Sequence, residues 1–261
     1  MFVKTVALWE NAPGAYDKVP ALDVFVPEKK TSDIAVVILP GGAYCAHADY
    51  EGAGYAEFLN KNGITAFVLP YRVYPHRFPL PLLDARRAIR YVRHHSKQYN
   101  INKVYIMGSS AGGHLAALTS TYDGPIDFEG ADEIDRESFR PDGQILCYPV
   151  IALRGEGLAH YGSTDNLLGD RREELGDALS PHLIADEHAP RAFIWHTFDD
   201  SGVHVANSLD YARRLREMQV SVEMHIYPEG HHGLGLAPEN PHVADWANRL
   251  IAWLHYKEQE V

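Results

Sequence analysis

The sequence predicts an α/β domain: a mostly parallel sheet of eight strands with helices on both faces. Three observations carry this. Eight short runs rich in Val, Ile, Leu and aromatic residues are spaced along the chain. Amphipathic helical patterns alternate with the later runs, as they do where parallel strands are joined by crossover helices. Residues 103–118 pass from an apolar run through a glycine-rich turn directly into a helix-forming run.

The strands are expected at Val3–Leu8, Leu22–Val26, Ile34–Leu39, Ile64–Leu69, Val104–Met107, Gln144–Tyr148, Ala192–His196 and Val222–Tyr227. The middle runs are nearly continuous in Val, Ile and Leu, the pattern of strands covered on both faces. A helix over Asp84–His94 places Ala85, Ala88, Ile89 and Val92 on one face and Arg86, Arg87, Arg90 and Arg93 on the other. Asp84 reads as its N-cap. Val205–Met218 repeats the pattern with Leu209, Ala212 and Leu215, and a last helix after Pro241 carries Val243, Trp246, Leu250 and Leu254. No repeat or linker divides the 261 residues, so one domain over 1–261 is expected. The long connections 121–143 and 150–190 are candidate cap or lid excursions. The second holds Gly155, Gly157, Gly162 and Gly169 between short helical patches.

Apolar residues at 46% and charged residues at 23% suit a soluble chain able to bury a large core. No apolar run approaches the roughly 20 residues that span a bilayer, and the N-terminal stretch shows no signal-peptide cleavage site. Cys45 and Cys147 read as small buried residues rather than a disulfide, and a cytoplasmic location is expected. The net charge of −11 argues against nucleic acid and anionic membrane as partners. Part of the acid is local, in Asp123, Asp127, Glu129, Asp132, Glu133, Asp135 and Glu137, and reads as a solvated surface excursion. The fifteen histidines show no paired ligand spacing. His94 and His95 are adjacent on a helix and face apart, and His182, His188 and His204 lie in loops, so neither metal nor cofactor is expected. Nothing marks an oligomer interface.

The chemistry is concentrated in Gly108-Ser109-Ser110-Ala111-Gly112, where a strand turns sharply into a helix. A serine at such a turn is held in a strained conformation that lifts its hydroxyl clear of the sheet. The residues two before and two after it then have no room for a side chain. Glycines flank Ser110 at both positions, whereas Ser109 would have Met107 and Ala111, so Ser110 is the candidate nucleophile. Its base and orienting carboxylate must lie beyond the carboxyl ends of other strands. The seventh strand leads into Asp199-Asp200 and the eighth into His231-His232, and spacing does not choose within either pair. Backbone donors for a developing oxyanion are expected from Ala111 and from the Gly41-Gly42 turn after the third strand. His47, Asp49, Tyr50 and Glu51 follow that turn and read equally as polar substrate contacts or as surface groups. Tyr44, Tyr71, Tyr74 and Trp195 lie near strand ends, and Tyr44 and Trp195 are the candidate substrate contacts.

Four stretches together resemble the α/β-hydrolase serine esterases, in particular the compact bacterial acetyl-esterase and acetylxylan-esterase-like group. They are Leu39-Pro-Gly-Gly-Ala-Tyr44, Gly108 to Ala117, Trp195 to Asp200 with Val203, and Gly230 to Leu236. Pro40 stands where related lipases often have histidine, and Ala43 replaces a third glycine. The resemblance implies an α/β-hydrolase fold with at most a small cap. A triad aspartate three residues before a valine selects Asp200, and a triad histidine directly before Gly-Leu selects His232. It also implies a cofactor-free serine carboxylesterase acting on a small-molecule ester through an acyl-enzyme. Short, acetyl-like acyl groups are expected, with sugar esters as one candidate class. The alternatives are an arylformamidase-like amidase and a non-catalytic binding protein on the same scaffold.

Overall fold

A computed structural model of the protein describes residues 1–14, 20–126 and 132–256. Eight strands form one sheet in the order β1-β2-β4-β3-β5-β6-β7-β8. They are β1 (Phe2–Ala7), β2 (Ala21–Phe25), β3 (Ile34–Leu39), β4 (Thr65–Val68), β5 (Lys103–Ser109), β6 (Gly143–Cys147), β7 (Ala192–Thr197) and β8 (Val222–Tyr227). β2 runs antiparallel to both β1 and β4, and every pairing from β4 to β8 is parallel.

Between the strands lie α1 (Asp49–Lys61), α2 (Leu80–His94), α3 (Ser96–Tyr99), α4 (Ser110–Thr121), α5 (Tyr161–Leu168), α6 (Arg172–Leu175), α7 (Pro181–Ile184), α8 (Ala206–Glu217) and α9 (Pro241–His255). The expected strand and helix positions hold to within a few residues at their ends. α1 was not marked from the sequence, because its small and charged residues (Asp49, Gly52, Ala53, Gly54) blur the helical period.

The central strands bury both faces because successive side chains alternate across the sheet. Ala35, Val37 and Leu39 of β3 join α2, α4 and α8 in one core, and Ile34, Val36 and Ile38 join α1 and α9 in the other. The 150–190 excursion contributes Leu153, Leu167, Leu168 and Leu179 to the first core, so it is packed onto the body of the domain.

The arginine face of α2 is covered rather than solvated. Arg86 and Arg87 are buried. Arg87 pairs with Asp132 and Asp135, Arg90 reaches Asp135, and Arg93 reaches Asp142. Asp132 and Asp135 of the acidic stretch neutralise this stripe, while Asp123, Asp132 and Glu133 remain exposed as expected; Asp127 and Glu129 fall outside the described residues. Cys45 is exposed, contrary to expectation, and Cys147 is buried; both are free thiols.

Asp84 also departs from its expected role. α2 begins at Leu80, so Asp84 sits inside the helix and forms a fully buried pair with Arg72. Its Oδ1 accepts from the guanidinium at 2.6 Å and its Oδ2 from the Arg72 N–H at 2.8 Å. Burial pushes the Asp84 carboxyl up, and the Arg72 hydrogen bonds and charge oppose that rise. Removing one member strands the other charge in the core. Asp84→Asn is expected to cost about 3–5 kcal/mol of stability in urea unfolding. A midpoint equal to wild type would show that the pair carries no such weight.

Candidate active site

The parallel register delivers the site to one end of the sheet. Leu39 at the end of β3 lies opposite Gly108 of β5, so the turn after β3 packs on the turn that carries Ser110. Ser110 has φ of 52°, a left-handed conformation costly for a side-chain-bearing residue. A Cβ on Gly108 would overlap the Gly112 carbonyl, and one on Gly112 would overlap the Leu39 and Pro40 carbonyls. The two flanking glycines are thus a steric requirement of the turn. Ser110 is also the first residue of α4, so the N–H of Ala111 stands at the positive end of that helix.

Ser110 Oγ lies 2.8 Å from His232 Nε2, and His232 Nδ1 lies 2.7 Å from Asp200 Oδ2. The doubled residues are separated by geometry. Asp199 is exposed, and its Oδ1 accepts from the Gly230 N–H, holding the turn before the histidines. His231 is exposed, with its ring turned to the His232 carbonyl.

Asp200 Oδ1 accepts the N–H groups of Gly202 and Val203 at 2.8 and 2.9 Å. Its Oδ2 also faces His196 Nε2 at 3.2 Å. Burial alone would raise this carboxyl, but the hydrogen bonds of His196, His232 and Val203 outweigh it and hold Asp200 well below the usual carboxylate range. It is therefore an anion placed to receive the Nδ1–H of His232. His196 was not singled out from the sequence; the available signal was one polar ring in the otherwise apolar β7.

Gly41 does not offer the oxyanion donor expected of it. Its N–H donates to Glu51 Oε2 at 2.7 Å. Gly42 (φ 136°) forms the turn itself, and its carbonyl accepts from Cys45 and Ala46. Among the described residues no protein group accepts the N–H of Gly42 or of Ala111, which leaves these two as the available donors.

The expected substrate contacts, Tyr44 and Trp195, are both buried in the core and do not line the site. Trp195 points below the sheet and stacks on Trp246 of α9 with ring centroids 4.9 Å apart. Tyr44 lies behind the oxyanion turn, its hydroxyl 2.7 Å from His114 Nδ1. Tyr71 is buried as well, donating to the Pro40 carbonyl, whereas Tyr74 is exposed. Glu51, read equally as a surface group, is buried. Among the described residues no group of three or more His, Cys, Asp or Glu side chains could hold a metal ion. No helix among them is long and apolar enough to cross a membrane.

Residues 22–215 match the family model described as BD-FAE. The chain belongs to the BD-FAE family. It is 34% identical over 235 residues to endo-1,4-beta-xylanase B of Butyrivibrio fibrisolvens, covering 87% of this chain and 36% of that protein. It is 34% identical over 219 residues to an acetylxylan esterase of Xylanibacter ruminicola, covering 81% and 43%. This BD-FAE chain thus spans less than half the length of either relative. Among solved structures, an acetyl ester-xyloside bifunctional hydrolase from Caldicellulosiruptor lactoaceticus superposes with a TM-score of 0.88 at 41% identity, covering 96% of this chain and 95% of that one. The fold of this BD-FAE member is the α/β-hydrolase fold.

His114 supplies a pH test of the packing behind the site. Its Nε2 faces the Leu179 carbonyl at 2.8 Å, so Nε2 carries the proton and Nδ1 accepts from Tyr44. Burial lowers its pKa to about 4. The unfolded chain, titrating near 6.5, then takes up the proton first, and stability falls as pH drops from about 6.5 towards 4. From this histidine a loss of about 2 kcal/mol is expected between pH 7 and pH 5. His114→Gln should flatten that part of the urea-unfolding profile; an unchanged slope would contradict it.

Proposed function

We propose that the chain is a serine carboxylesterase that removes short acyl groups, of the acetyl class, from small-molecule esters, with acylated sugars as its substrate class. The observation that carries this reading is the continuous hydrogen-bonded series Ser110–His232–Asp200 at 2.8 and 2.7 Å. The names of its relatives, an acetylxylan esterase and an acetyl ester-xyloside hydrolase, support the acetyl and sugar assignment.

In the proposed mechanism His232 Nε2 takes the proton of Ser110 as Oγ attacks the ester carbonyl. Asp200 holds the Nδ1–H tautomer and stabilises the imidazolium. The N–H groups of Ala111 and Gly42 receive the oxyanion. His232 then protonates the departing alcohol, and water attacks the acyl-Ser110 ester by the same route in reverse.

A cavity of about 270 Å³ opens on the Asp200 side of the triad, between the 157–161 segment and the 200–204 loop, with neither Ser110 nor His232 in its lining. Two free cysteines, one exposed, are in keeping with the proposed reducing, cytoplasmic setting.

Ser110→Ala is expected to reduce turnover of p-nitrophenyl acetate by several orders of magnitude with unchanged circular dichroism. Near wild-type turnover would overturn the assignment. On a panel of acetyl, butyryl and octanoyl esters beside acetylated xylo-oligosaccharides and N-formylkynurenine, acetate should be hydrolysed faster than octanoate. Preference for octanoate would refute the short-acyl assignment, and preference for the formamide would move the chain to the amidase reading.

A further inference from the structure

Glu51 is 2% exposed, and among the described residues no Lys or Arg pairs with it. A carboxylate buried without a cation is expensive and calls for strong donors. Both of its donors belong to the site. Oε2 accepts the Gly41 N–H at 2.7 Å, and Oε1 accepts the Tyr148 hydroxyl at 2.5 Å. Gly41 is wedged between this carboxylate and the nucleophile turn: a Cβ there would stand 2.6 Å from Glu51 Oε2 and 3.1 Å from Ser110 Cβ.

Tyr148 extends the reach. Its hydroxyl accepts the Gly235 N–H at 3.0 Å and lies 3.2 Å from the Tyr55 hydroxyl, which in turn lies 3.2 Å from Ser109 Oγ. Its ring packs edge-on against His232 with centroids 5.1 Å apart. The neighbouring Tyr50 donates to the Gly233 carbonyl at 2.9 Å, so the first turn of α1 holds the histidine loop once directly, through Tyr50, and once by way of Tyr148, through Glu51. One end of one helix therefore ties together the oxyanion turn, the strand end before Ser110 and the loop that carries His232.

Resting on the serine-esterase reading, we propose that Glu51, with Tyr148, is a positioning residue: it fixes the Gly41–Gly42 turn so that the Gly42 N–H meets the oxyanion, and it holds the histidine loop against Ser110. Burial raises the Glu51 carboxyl, while the Tyr148 and Gly41 hydrogen bonds and the nearby His232 oppose that rise. Two aligned donors and no cation are the arrangement of a group that orients its neighbours rather than one that secures the core by ion pairing. Because the oxyanion forms only in the transition state, misplacing the turn should lower the rate without weakening substrate binding.

Glu51→Gln keeps the shape but presents an amide NH₂ to one of the two donors. In p-nitrophenyl acetate hydrolysis per folded molecule, kcat and kcat/KM should fall together by about 100-fold, with KM within about threefold of wild type. The Ki of phenylboronic acid, which forms a tetrahedral adduct on serine, should rise in step. Tyr148→Phe leaves the ring against His232 and should lower kcat by roughly 10-fold. If Glu51→Gln does not fold, Tyr148→Phe decides by the same criteria. A kcat within threefold of wild type, a change in KM alone, or a loss accounted for by the unfolded fraction would overturn the proposal. Wild type no more active than Ser110→Ala would instead refute the esterase reading itself.

Discussion

Ser110 can hold a φ of 52° only because Gly108 and Gly112 leave room where any Cβ would strike backbone. Much of the site follows from that steric constraint. The turn aims Oγ away from the sheet and towards His232, and it starts α4 at the nucleophile, so a free helix N–H stands beside the reacting oxygen. It also brings the Gly112 Cα against the Leu39 and Pro40 carbonyls, locking the turn after β3 onto the turn after β5. Backbone strain of about 1–3 kcal/mol at such a residue persists only in surroundings that over-determine it. The β3–β5 pair, buried along its length except at Lys103, supplies them.

Two carboxylates flank the histidine loop and are displaced in opposite directions. Asp200 gathers two backbone N–H groups and two imidazoles, and these outweigh burial. Glu51 has a single donor on each oxygen, and burial prevails. The count of donors against the degree of desolvation sets the sign in each case. The same balance acts at a distance from the chemistry. Asp84 and Arg72 satisfy each other in the core, while Asp132 and Asp135 reach across to neutralise Arg87, making the 132–142 segment a cover for α2.

Much of this was legible in the residues. The continuous Val/Ile/Leu runs marked β3 to β5, because a strand covered on both faces must be apolar throughout. Gly108 and Gly112 singled out Ser110 over Ser109 for a reason of pure sterics. What was not legible concerns orientation and partners. Trp195 and Tyr44 stand near strand ends, as substrate contacts would, but strand alternation sends Trp195 to the α9 side, and His114 draws Tyr44 behind the oxyanion turn. Gly41 and Gly42 are alike in sequence. Only the arrival of Glu51 from α1 occupies one N–H and leaves the other free. α1 itself carried too weak a period to be marked, so the buried role of Glu51 had no local signal.

The sequence by itself determined the layered α/β architecture, the nucleophile turn and the chain order of the reacting groups. Each of these rests on short-range rules: strand and helix periodicity, and the room that glycine leaves. Spacing left each doubled pair open and the family resemblance pointed to Asp200 and His232; the tertiary structure decided the contacts by which these two meet each other and Ser110. It likewise decided which backbone donors stay free, and that Arg72 with Asp84 and Glu51 with Tyr148 are buried pairs. Those outcomes depend on residues from 12 to 122 positions apart converging within hydrogen-bond distance. Convergence of that kind is a property of the sheet's register and the packing of its helices, and no local pattern encodes it.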